Sequence, residues 1–98
     1  MRLSTEEKNT IISCILEFDP HAKVYLFGSR TDEHKKGGDL DILVISELLS
    51  FSDKFKILAK IEGAMGEQQI DLLLKNQDEA DKSSFVQSFI SDAILLNP

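Results

Sequence analysis

Two hydrophobic periods alternate along the chain. Ile11, Ile12, Ile15 and Phe18 recur at helical spacing. Ahead of them Ser4-x-x-Glu7 has the form of a capping box. Together they predict a helix over residues 4–18, ended by Asp19-Pro20. Cys14 lies beside the apolar face and reads as a small core residue, since no Cys/His arrangement accompanies it. Residues 23–28 are an apolar run too short for a helix and predict a strand. A polar loop over 30–38 leads to a second strand over 39–46. A second helix is predicted over 51–65, with Phe55, Leu58, Ala59 and Met65 near one face and Ile57, Ile61 and Ala64 broadening it. Gly66 is a natural stop. A third strand follows over 69–75. The last helix is placed over 81–93, with Phe85, Val86, Phe89, Ile90 and Ala93 in register. Ile94-Leu95-Leu96 either continue it or form an extended tail.

The order helix, strand, strand, helix, strand, helix predicts an α+β fold: a three-stranded mixed sheet with helices packed on it. The short connection between the first two strands requires an antiparallel pair. The strand–helix–strand crossover makes the third strand parallel to the second. The end of the first strand and the starts of the other two then meet at one edge of the sheet.

That edge collects unusual chemistry. Asp39 and Asp41 are two residues apart, so on a strand both carboxylates point to one side, with Leu40, Ile42 and Val44 on the other. Adjacent carboxylates repel unless a positive charge compensates them, and Mg²⁺ with phosphate oxygens is a usual compensator. Gly28-Ser29 closes the first strand. A glycine lets the backbone approach a ligand, and neighbouring N–H groups with a serine hydroxyl can hold a phosphate. Asp71 opens the third strand, where a third carboxylate could converge. Each residue also has a plainer reading. Asp39 and Asp41 can cap a turn after Gly37-Gly38, Asp71 can be an exposed strand residue, and Arg30, Lys35 and Lys36 can be a solvated loop. His21 and His34 have no matching ligand cluster.

At 98 residues, with 42% hydrophobic and 29% charged residues, the chain is expected to form a single domain over 1–98. No apolar run is long enough to span a bilayer. The segment Met1-Arg2-Leu3-Ser4-Thr5-Glu6-Glu7 turns acidic where a signal peptide would be apolar. A single cysteine excludes an intramolecular disulfide and fits a reducing compartment, so a cytoplasmic location is expected. The net charge of −6 argues against stand-alone binding of DNA or RNA and suits a basic protein partner.

Gly28-Ser29-Arg30, a loop, then Asp39-Leu40-Asp41-Ile42-Leu43-Val44 resembles the signature of the nucleotidyltransferase superfamily that includes DNA polymerase beta. Chain length and motif context resemble its minimal nucleotidyltransferase group, whose members are antitoxin-like partners of HEPN-domain proteins. The resemblance covers about residues 23–75. It implies the nucleotidyltransferase fold with sheet order 1-2-3. It implies that Asp39, Asp41 and Asp71 are catalytic and hold metal, two Mg²⁺ ions being the expected complement. Gly28, Ser29 and Arg30 would bind the nucleotide, with Lys35 or Lys36 near its outer phosphates. The implied reaction moves AMP from ATP (or another nucleoside monophosphate from its triphosphate) to an acceptor hydroxyl on a HEPN-type toxin. The competing expectation is a non-catalytic module that neutralises a helical partner by complex formation. Either version leaves room for a homodimer.

Overall fold

The computed structural model describes residues 3–28, 40–67 and 69–97. Helix α1 spans Thr5–Phe18. Its capping box is formed: the Ser4 hydroxyl accepts the Glu7 N–H, and the Glu7 carboxylate accepts the Ser4 N–H, each at 3.1 Å. Strand β1 (Lys23–Phe27) pairs antiparallel with β2 (Leu40–Ile45), and β2 pairs in parallel with β3 (Ile70–Lys75). Helix α2 (Phe51–Met65) makes the crossover and stops at Gly66, whose φ of 83° suits glycine.

The C-terminal quarter departs from the expected single helix over 81–93. Helix α3 covers Gln77–Lys82, helix α4 covers Ser84–Phe89, and one 3-10 turn covers Ile90–Asp92. Ser83 divides them, since it ends α3 and its hydroxyl accepts the Val86 N–H at 3.1 Å to start α4. Asn76 starts α3 four residues earlier than the apolar spacing indicated, by accepting the Glu79 N–H at 2.8 Å. Ile94–Leu95 form a further strand, β4, antiparallel to β1. The sheet therefore has four strands in the order β3-β2-β1-β4: the expected 1-2-3 order holds, and β4 adds a fourth strand beside β1. Asn97 fastens the added strand. Its amide oxygen accepts the Val24 N–H and its amide nitrogen donates to the Ala22 carbonyl, both at 2.8 Å.

Two apolar cores flank the sheet. Ile11, Cys14 and Ile15 of α1 and Ile57 and Ile61 of α2 pack on Val24, Leu26, Leu40, Ile42, Val44 and Leu72. Leu43 and Ile45 face the other way, onto Ala80, Val86, Phe89 and Ile90. β2 is thus buried from both sides, which explains its nearly unbroken apolar sequence. Cys14 is part of the first core, and burial pushes its thiol pKa above the ordinary value. Phe55 is 55% exposed, off the core face assigned to it, because it lies about 200° around the helix from buried Ile57.

Candidate functional site

Strand register builds the site. Phe27 on β1 is opposite Asp41 on β2, and Asp41 is opposite Asp71 on β3. These three residues form one row across the end of the sheet. Neighbouring strands lie about 4.8 Å apart, so the two aspartates are immediate cross-strand neighbours. Leu40 and Ile42 belong to the core of α1 and α2, so the alternation turns Asp41 to the side covered by α3 and α4. Asp41 is half-buried and Asp71 exposed.

Gly28 follows Phe27 directly, with φ at 78°. A Cβ built there would fall on the Asp41 carboxylate, with the Asp41 Cγ only 3.0 Å away. The missing side chain is therefore what lets the backbone run alongside that carboxylate. The neighbour in this approach is a side chain of the protein itself, the Asp41 carboxylate.

A cavity of about 360 Å³ opens over the row, lined by Phe27, Asp41, Lys54, Asp71, Leu72, Leu73 and Phe85. Of the residues the sequence marked out, Asp41 and Asp71 line it, and Gly28 lies beside Asp41. Ser29, Arg30 and Asp39, with His34, Lys35 and Lys36, lie outside the described residues.

Five cavity residues carried no functional expectation: the strand residues Leu72 and Leu73, and Lys54, Phe27 and Phe85. Lys54 reads in the sequence as one more charged position on an amphipathic helix, and no local pattern separates it from Lys56 or Lys60. Phe27 reads as a strand residue. Phe85 shares the helical spacing of Val86 and Phe89, but α4 turns it outward and leaves it 58% exposed. The rings of Phe27 and Phe89 are stacked, with centroids 4.0 Å apart and planes 8° from parallel. Phe85 stands at 82° to the first and 74° to the second.

The larger cavity, about 550 Å³, lies at the other end of β2 and is bounded by Asp19, His21, Lys23 and Ser46 among others. There the Ser46 hydroxyl donates to the buried Asp19 carboxylate, which also accepts the His21 N–H at 2.9 Å. Ser46 Oγ in turn accepts the N–H groups of Leu48 and Leu49 at 3.1 and 3.0 Å. These polar groups satisfy one another, tying the end of α1 to the end of β2.

The family model described as polymerase beta, nucleotidyltransferase matches residues 9–97. Among solved structures, the chain is similar to one in a toxin–antitoxin complex with AMP-PNP, at a TM-score of 0.68 and 22% identity over 92% of this chain and 72% of that one. It is also similar to a chain in the complex of a tri-AMPylated Shewanella oneidensis HEPN toxin with its MNT antitoxin (TM-score 0.65, 23% identity, 94% and 70% covered). A third similar chain comes from the MntA–HepT toxin–antitoxin complex (TM-score 0.65, 20% identity, 96% and 72% covered). At these identities the likeness is one of fold. No curated protein sequence matches the chain.

Proposed function

Since the chain belongs to the polymerase beta nucleotidyltransferase family, we propose that it transfers AMP from ATP to a hydroxyl of a HEPN-type toxin and so acts as its antitoxin. The observation that carries this reading is the register match of Asp41 with Asp71 beside the Cβ-free approach of Gly28. Two of the expected carboxylates line one cavity at this sheet end, and the glycine assigned to the phosphates lies against one of them.

In nucleotidyl transfer, charge builds on the phosphoryl oxygens and the leaving pyrophosphate, so positioning and positive charge supply most of the catalysis. Asp39, Asp41 and Asp71 are hard oxygen donors, which suits Mg²⁺. The metal would supply electrostatic stabilisation of the entering and leaving oxygens. Gly28 and Ser29 hold the phosphates, and Arg30 meets their outer charge. Asp71, at the end of the row away from Gly28, orients the acceptor hydroxyl and accepts its proton. Lys54 adds a cation to the cavity wall.

The test uses ATP labelled at the α-phosphate, Mg²⁺, and the purified product of the neighbouring gene as candidate acceptor. Wild type should label that protein. The Asp39→Ala/Asp41→Ala double variant should lose at least 100-fold in rate, with its folded circular-dichroism spectrum kept. Undiminished labelling by that variant would sink the assignment.

The exposure of Leu48 (68%) and Phe51 (70%) supports a second reading, neutralisation by occlusion. Phe51 packs edge-on against Phe55 in an exposed aromatic pair, the kind of feature protein interfaces use. On that reading the double variant still neutralises the partner without labelling it.

A further inference from the structure

The site described so far is made of charges, yet its cavity has an aromatic wall. Phe85 is the most exposed part of that wall. Packing with Phe27 and Phe89 orients the ring but leaves more than half of the residue open. Helix α4 had an apolar alternative for burial, since Val86, the next residue, is fully enclosed. The other strongly exposed phenylalanines, Phe51 and Phe55, pair with each other on α2, and neither lines this cavity. Phe85 alone combines exposure, fixed orientation and proximity to the carboxylate row.

We propose that Phe85 is the stacking surface for the nucleobase of the donor nucleotide. This rests on the nucleotidyltransferase reading and extends it to the part of the donor that the carboxylates do not touch. A nucleoside triphosphate is charged at one end and carries a flat, apolar-faced ring at the other, and this cavity offers both kinds of contact. The placement also has a direction. Phe27 continues into Gly28, so the aromatic cluster is rooted on the strand that carries the phosphate-side glycine. Asp71, on the proposed acceptor side, lies two strands away. The aromatic wall therefore belongs to the donor end of the row. Stacking on an aromatic ring accepts any base, so Phe85 contributes affinity for a nucleotide over bare polyphosphate and little choice among bases.

The experiment compares binding of AMP-PNP and of inorganic tripolyphosphate, both with Mg²⁺, by calorimetry. Phe85→Leu keeps apolar bulk but loses the flat ring, and Phe85→Trp enlarges it. Phe85→Leu should weaken AMP-PNP about tenfold or more and leave tripolyphosphate within about twofold, while Phe85→Trp should bind AMP-PNP at least as tightly as wild type. If Phe85→Leu binds AMP-PNP like wild type, the proposal is overturned. If it does so while the KM for the protein acceptor rises, the ring serves the acceptor, and the assignment to the nucleobase is overturned with the parent activity intact. If wild type binds neither probe, the nucleotidyltransferase reading fails and this inference falls with it. A wild type that binds both probes with equal affinity would remove the base contact alone.

Discussion

At the scale of single residues, Gly28 and Gly66 form a natural pair of controls. Both have positive φ, 78° and 83°. An L side chain held at positive φ costs about 1–3 kcal/mol. They differ in surroundings. A Cβ at Gly66 meets nothing within 4 Å, whereas one at Gly28 collides with the Asp41 carboxylate. Gly66→Ala should therefore lose about 1 kcal/mol of stability in urea unfolding and keep its transfer rate. Gly28→Ala should lose a similar or larger amount and at least tenfold in rate, because Asp41 must move. Equal rates in the two variants would mean that the contact with Asp41 is incidental. A glycine after an apolar run announces a turn or a close approach in the sequence itself. Which atom approaches is set by the β1–β2 register, and no local pattern encodes that.

Whole elements were legible where local chemistry decides them. The α1 capping box, the α2 stop at Gly66, the antiparallel first pair and the parallel second pair all follow from neighbouring residues and connection lengths. The C-terminal quarter was not, because two cues compete there. Apolar spacing through Phe85, Val86 and Phe89 favours one continuous helix, while the Ser83 hydroxyl rewards a break. β4 is harder still to see. It has two residues, and side-chain hydrogen bonds from Asn97 to Val24 and Ala22, 73 and 75 positions away, hold the segment in place. Replacing Asn97 with Ala should leave the Val24 N–H and the Ala22 carbonyl without these partners in a buried setting. The expected loss is about 2–3 kcal/mol in urea unfolding. Amide exchange at Leu96, whose N–H bonds the Val24 carbonyl at 2.7 Å, should quicken as β4 detaches. An unchanged Leu96 rate would show that β4 pairs without help from Asn97.

At the scale of the molecule, the candidate site sets carboxylates side by side in a chain whose net charge is already −6. Like charges opposed across neighbouring strands work against folding. The two cores on either side of β2 oppose that repulsion and hold the row in place. The Asp39/Asp41 spacing was visible in the sequence, but the match of Asp41 with Asp71 depends on how β3 docks beside β2 after the α2 crossover. The proposed metal role of these carboxylates predicts a link between stability and divalent metal. An ion that binds the folded row but not the unfolded chain stabilises by about 2.7 kcal/mol at 100 times its Kd. For a chain of this size that is roughly a ten-degree rise in Tm or more. General screening of the excess negative charge also raises Tm, so the comparison needs NaCl at matched ionic strength. Mg²⁺ should exceed NaCl for wild type, and the excess should shrink in Asp71→Asn and vanish in Asp39→Ala/Asp41→Ala. Asp71→Asn should also be no less stable than wild type without metal, because it removes the charge opposite Asp41. A Mg²⁺ effect equal to that of NaCl, or one that survives in the double variant, would place the metal elsewhere and leave the paired aspartates without their proposed role.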